Sequence, residues 1–131
     1  MSAKKPTVVC LCGSTRFWRE FQTASLRETM AGKIVLSIGA ATGTDDEHFG
    51  NLPKQEYDRI KAMLDELHLR KIDLADEILV LNVGGYIGES TARECCYASD
   101  QRKPIKLLEP HLTSESRARL NEFLQTTLAT N

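Results

Sequence analysis

Short apolar runs alternate with longer stretches in which apolar residues recur at helical spacing, and this alternation predicts a β-α-β order along the chain. Val8-Val9-Cys10-Leu11-Cys12 is the first run, stopped by Gly13. Arg16 to Ala31 follows as a helix with Phe17, Phe21 and Ala24 on one side, a cap at Ser14 or Thr15, and Gly32 as its stop. Lys33 to Ile38 reads as the second strand. From Gly39 to Pro53 the residues are mostly Gly, Ala, Thr, Asp and Asn without periodicity, which predicts a long loop. Tyr57, Ile60, Met63, Leu64 and Leu67 then mark the inner face of a helix from Lys54 to about Lys71, before a turn around Asp73 to Asp76. Ile78-Leu79-Val80-Leu81 is the third strand. The glycine-bearing loop Asn82 to Glu89 leads into a short helix that begins near Ser90 or Thr91 and ends between Asp100 and Lys103. Pro104 to Leu108 is the fourth strand, and Leu120, Phe123, Leu124 and Leu128 mark a terminal amphipathic helix.

Strands that are apolar on both faces and separated by helices imply a parallel sheet covered on each side, since only a crossover returns the chain in the same direction. The expected fold is α/β, a three-layer sandwich with a four- to five-stranded parallel sheet of Rossmann or flavodoxin-like type, forming one domain over residues 1–131. A fifth short strand would fall after Ile38 or within Glu109 to Leu112. No internal repeat, low-complexity tract or linker interrupts the pattern.

Charge narrows the function classes. Seventeen Lys and Arg against eighteen Asp and Glu leave a net charge of -1, so there is no cationic surplus for a nucleic acid polymer. With 41% hydrophobic and 27% charged residues over 131 positions, the chain can build a core and is not expected to be disordered. No apolar run approaches the ~20 residues that cross a bilayer, and Met1 to Pro6 does not lead into a secretory pattern. A cytoplasmic protein without a membrane partner is expected. Cys10 and Cys12 lie two apart and Cys95 and Cys96 are adjacent; neither spacing matches a zinc knuckle or a Cys-x-x-Cys motif. They read as small buried side chains, with no metal, structural disulfide or cofactor expected.

In an open parallel sheet the ligand crevice lies beyond the carboxyl ends of the strands. Three segments should converge there: Gly13-Ser14-Thr15-Arg16, the long loop after the second strand as a candidate lid, and Gly84 to Glu94. The first and third combine glycines, hydroxyls and helix N-termini, which suit a phosphate or other anion, and Arg16 can add a forked contact. Neither is a Walker A motif or a dinucleotide fingerprint. Glu94, three residues after Thr91, admits two readings. Thr91-Ala92-Arg93-Glu94 is a capping-box pattern. Alternatively, a carboxylate near the positive end of the helix dipole is held ionised and can attack an electrophilic sugar carbon. Tyr86, Phe49 and Trp18 are candidates to stack on a base, and Asp45-Asp46-Glu47-His48 can order a cation or simply be hydrated. His111 reads as part of a solvated face.

Together these motifs resemble the nucleoside 2-deoxyribosyltransferase superfamily, which includes the deoxynucleoside 5'-monophosphate N-glycosidases. Cys12-Gly13-Ser14-Thr15-Arg16 is similar to the glycosidases' Cys-Gly-Ser-x-Arg phosphate grip. Ala75-Asp76 before the third strand is similar to the family's Ala-Asp, and Arg102-Lys103-Pro104 to its Gly-Lys-Pro. Ser90-Thr91-Ala92-Arg93-Glu94-Cys95-Cys96-Tyr97-Ala98 is similar to the Gly-Thr-x-x-Glu-(Ile/Leu)-Gly-Tyr-Ala segment that carries the nucleophile. The resemblance implies Glu94 as nucleophile at C1', with Gly13, Ser14, Thr15, Arg16, Tyr86, Gly88, Ser90 and Thr91 around a nucleoside or its 5'-monophosphate. His68 stands eight residues before Asp76, where the family has an Asp, and takes an assisting role; Gly88 stands where the family has an Asp or a Ser. Relatives complete their sites with a neighbouring subunit, which implies at least a homodimer. Two alternatives remain: a non-catalytic nucleotide-sensing domain, and a phosphoribohydrolase of the lysine decarboxylase-like group, whose Gly-Gly-x-Gly-Thr-x-x-Glu loop is loosely echoed from Gly84 onward.

Overall fold

The structure is a computed structural model that describes residues 4–39 and 43–130. Four strands, β1 (Val8–Cys12), β2 (Ile34–Leu36), β3 (Glu77–Val80) and β4 (Ile105–Leu107), form one all-parallel sheet in the order β2-β1-β3-β4. Helices α1 (Trp18–Met30), α3 (Lys54–Leu74), α4 (Glu89–Asp100) and α5 (Ser114–Thr130) flank it, making the three-layer α/β sandwich expected from the alternating pattern. The side chain of Leu128 lies outside the described residues. Among the described residues there is no fifth strand, and no helix is long and apolar enough to cross a membrane.

Every residue of β1 and β3 is buried, which is why neither alternates apolar with polar. Val9, Leu11, Leu79 and Leu81 face Phe21 and Ala24 of α1. Val8, Cys10, Cys12, Ile78 and Val80 face the other way, into a cluster with Ile72 of α3 and Ala92, Cys95 and Ala98 of α4. Leu120 and Phe123 of α5 pack against its margin. Asp76 joins the two central strands at their start: its Oδ2 accepts from the Val8 N–H at 2.8 Å, and its own N–H donates to the Val8 carbonyl at 2.7 Å. The Ala-Asp dipeptide of the sequence motif thus has a structural use.

Three expectations need correction. Gly39 to Pro53 is not a plain loop, because Asp45–Phe49 forms a short helix, α2, whose N-cap Thr44 accepts from the Glu47 N–H at 3.2 Å. Asp45, Asp46 and Glu47 fill its first turn, where the helix dipole favours anions; so short a helix is too brief to show a period. The inner face of α3 is also rotated from the one expected. His68 and Ile72 are buried, whereas Met63 and Leu67 are about half exposed. Glu109 to Leu112, suggested as a strand, is instead held by the fully buried Asn82, whose amide donates to the carbonyls of Glu109 and His111 and accepts from the Glu109 N–H.

Glu77 is a buried charge with full compensation. Lys33 reaches it at 3.2 Å and Lys106 at 3.1 Å, so although burial favours the neutral acid, the two ammonium groups hold the carboxyl below its usual range. Its folded-state pKa is lower than its unfolded one, so its stabilisation is present above the ordinary value of 4.5 and fades as the pH falls through the lower folded value. Glu77→Gln should therefore cost about 1–2 kcal/mol at pH 7 and progressively less in acid, as chemical denaturation across pH will measure.

Candidate active site

The strand order sets where a ligand can sit. β1 sends the chain to β2 on one side and β3 sends it to β4 on the other, so the connections diverge at the carboxyl ends of these two neighbours. A cavity of about 460 Å³ opens there. Its walls come from the β1 loop (Gly13, Ser14, Thr15), from α2 (Asp45, His48, Phe49), from α3 (Lys61, Leu64, His68, Lys71) and from the start of α4 (Gly88, Ser90, Thr91, Glu94) with Tyr86 before it. The three segments expected to converge do so.

Glu94 is the informative residue. Helix α4 begins one residue earlier than expected, at Glu89, with Gly88 as its N-cap and no side-chain cap. Thr91 therefore sits inside the first turn and Glu94 in the second, so the capping box does not form. Glu94 lines the cavity instead, and its Oε1 is buried with no hydrogen-bond partner among the described residues. The sequence reading held this group ionised by the helix dipole. The structure reverses that: burial pushes Glu94 up to about 7, only partly opposed by the His68 imidazole and the Cys12 thiol. The dipole field is strongest in the first turn, and Glu94 lies beyond it.

His68 is delivered by α3 to the same point. Its Nε2 lies 3.8 Å from Glu94 Oε1, 3.7 Å from Cys10 Sγ and 3.5 Å from Cys12 Sγ. Burial disfavours the imidazolium, yet the hydrogen bond with Cys10 and the charge of Glu94 outweigh it and raise the His68 pKa. The two thiols diverge: Cys12, hydrogen-bonded to Cys10, draws the Cys10 thiol down, while Cys12 itself is pushed well above its usual value. Sequence spacing alone did not raise this grouping, because two of its members alternate along a strand and the third arrives from a helix fifty-six residues after Cys12.

Other candidates divide. Ser14, Thr15, Ser90, Thr91, Tyr86 and Phe49 line the cavity, and Gly13 and Gly88 supply its backbone walls. A Cβ on Gly88 would stand 3.0 Å from the Tyr86 hydroxyl, so glycine lets that ring lie over the helix start. Thr15 Oγ1 accepts from the Asp45 N–H at 3.3 Å and Lys61 bonds Asp45 at 2.9 Å, tying α2 across the mouth. Asp45, Asp46 and Glu47 are thus occupied by Lys61, Tyr57 and the helix cap. Arg16 is not among the cavity-lining residues; its guanidinium lies over the Tyr86 ring, 4.6 Å from the centroid. Trp18 lies on a separate surface groove with Phe21 and Leu26. Lys61 and Lys71 were missed: with Leu64 and His68 they form a mixed polar stripe at helical spacing, which an apolar search passes over.

Comparison with protein-family models, with curated proteins and with solved structures finds no match to this chain.

Burying an unpaired carboxylate opposes folding once it ionises. The folded pKa near 7 exceeds the ordinary 4.5, so the penalty is absent below about pH 4.5, grows between the two values and is complete above 7. Glu94→Gln removes the charge at constant shape. It should stabilise the protein by about 1–3 kcal/mol at pH 8 and by nothing measurable at pH 4; an equal gain at both would show the carboxylate is not buried as described.

Proposed function

We propose that this chain cleaves or exchanges the N-glycosidic bond of a nucleoside or nucleoside 5'-monophosphate, with Glu94 as the nucleophile. The observation that carries the reading is the Glu94 oxygen buried without a hydrogen bond at a cavity between two diverging strand ends. A carboxylate serving only as a cap would be spent on backbone N–H groups; this one is left for another partner. The hydroxyls of Ser14, Thr15, Ser90 and Thr91 can meet a sugar or phosphate, Lys61 and Lys71 supply positive charge, and Tyr86 and Phe49 supply faces for a base.

In the first step a Glu94 carboxylate oxygen bonds to C1' as the C1'–N bond breaks, with its electron pair leaving on the base, which takes a proton from solvent. In the second, water or a second base attacks C1' on the opposite face and releases Glu94, giving net retention. His68 is a positioning residue here: its imidazole, 3.8 Å from Oε1, favours the ionised carboxylate that burial disfavours. The resemblance of Thr91-x-x-Glu94-x-x-Tyr97-Ala98 to the nucleoside 2-deoxyribosyltransferase superfamily supports the same residue as nucleophile.

Because attack needs the anion, kcat/KM in chelator-treated buffer should rise with pH and reach half its maximum near pH 7, as release of free base from a panel of nucleosides and monophosphates will measure. Glu94→Gln should still bind, read as a thermal shift, while losing at least a thousandfold in rate. No turnover of any panel member, with binding retained, would replace this reading with a nucleotide sensor.

Self-association belongs to the same proposal. Leu26 and Met30 of α1 are exposed on one layer, Met30 at 78%, and Met63 and Leu74 of α3 on the opposite layer, Leu74 at 70%. Apolar surface of this kind is better covered by a second copy than by water. Sedimentation at micromolar concentration should give a dimer or larger; a monomer would exclude it.

A further inference from the structure

We propose that Cys10, Cys12 and His68 bind one soft divalent cation, zinc foremost, with the Glu94 carboxylate beside its open fourth position. The three donor atoms lie within 4.8 Å of one another. A tetrahedral zinc ion with metal–sulfur bonds of about 2.3 Å and metal–nitrogen bonds of about 2.0–2.1 Å has ligand–ligand edges of roughly 3.5–3.8 Å. The His68 Nε2 distances of 3.5 Å to Cys12 Sγ and 3.7 Å to Cys10 Sγ already match such edges. Cys10 and Cys12, alternating along β1, present both sulfurs on one face of the sheet, and α3 carries the imidazole onto that face.

The second observation is independent of the thiols. Glu94 Oε1, 3.8 Å from the same Nε2, is buried and makes no hydrogen bond. Packing alone accounts for buried cysteines and for a buried histidine, but not for an acceptor oxygen left unsatisfied beside them. One cation satisfies the three donors and places a positive charge beside the Glu94 oxygen. Thiolate and imidazole ligands select zinc, cadmium or a similar soft ion over magnesium or calcium. Binding forms two metal–sulfur bonds and one metal–nitrogen bond and releases to solvent whatever protons the two sulfurs and His68 Nε2 carry, with no change of oxidation state. His68 and Glu94 line the cavity, so the ion reaches the sulfurs through the opening that would admit substrate. An ion held there sits beside the carboxylate that the proposed glycosidic chemistry needs and takes its neighbouring imidazole, which makes the site inhibitory.

The test reads binding, not turnover, so its failure and the failure of the glycosidase reading are distinguishable. Cadmium titrated into the reduced full chain should produce a thiolate-to-metal charge-transfer absorption that saturates at one ion per chain and is displaced by zinc. Cys12→Ser should weaken binding at least tenfold, and Cys96→Ser should leave it unchanged. X-ray absorption on the zinc-loaded native chain should count two sulfurs at about 2.3 Å with nitrogen and oxygen completing the shell, a measurement that holds even if Cys12→Ser fails to fold. Absence of the charge-transfer band in the folded native protein, or a shell without two sulfurs, overturns the proposal.

Discussion

The pairing of β1 with β3, running in register from Val9 and Glu77 to Cys12 and Val80, holds the cavity end of the molecule in place. Both strands are buried on both faces, so a one-residue shift of register would exchange the side chains packed against α1 with those packed against α3 and α4 and misfit both layers. The two bonds between Asp76 and Val8 lock the start of that pairing. At the other end the two chains turn away from each other, and the gap between them is the cavity. A loop from one strand, a helix start from the other and the buried face of α3 then meet without any of them being long.

Two glutamates show how the same fold treats the same side chain in opposite ways. Glu77 is buried at the closed end of the sheet between Lys33 and Lys106, and its carboxyl is held low. Glu94 lies at the open end with an unsatisfied oxygen, a single imidazole 3.8 Å away, and a pKa pushed up to about 7. The first arrangement stabilises; the second costs stability and leaves a group whose protonation changes near neutrality. A buried carboxyl whose pKa is driven toward neutrality beside a cavity is a candidate for chemistry, whereas Glu77, fully compensated by two lysines, is structural.

The polar residues around the cavity form a tied set. Thr15 holds the α2 backbone, Asp45 engages Lys61, Lys71 donates to the Ser37 carbonyl at 2.6 Å, and Ser116 of α5 accepts from the Ile87 N–H at 2.8 Å just before α4 begins. These bonds fix backbone that would otherwise be loose at strand ends, and they do so with side chains drawn from four separate parts of the chain. Few of them carry a local signature.

What could be read along the chain was whatever depends on period and on short-range chemistry. The unbroken apolar runs Val8 to Cys12 and Ile78 to Leu81, set among helical patterns, determined a covered parallel sheet, and sheet direction in turn determined that Gly13 to Thr15 and Gly88 to Glu94 share one end. The brief α2 and the rotation of α3 escaped, because one and a half turns carry no period and because α3 buries His68 while leaving Met63 and Leu67 half exposed. Whether Glu94 capped its helix or lined a cavity was undecidable from spacing: the two differ only in whether the N-cap falls at Gly88 or at Thr91, which tertiary packing decides. The convergence of Cys10, Cys12 and His68 was equally hidden, since no local rule connects a strand to a helix that reaches it across the sheet. Periodicity is a property of neighbours in sequence and survives without the fold, whereas burial, pairing and the protonation of a carboxyl depend on which distant residues arrive beside it.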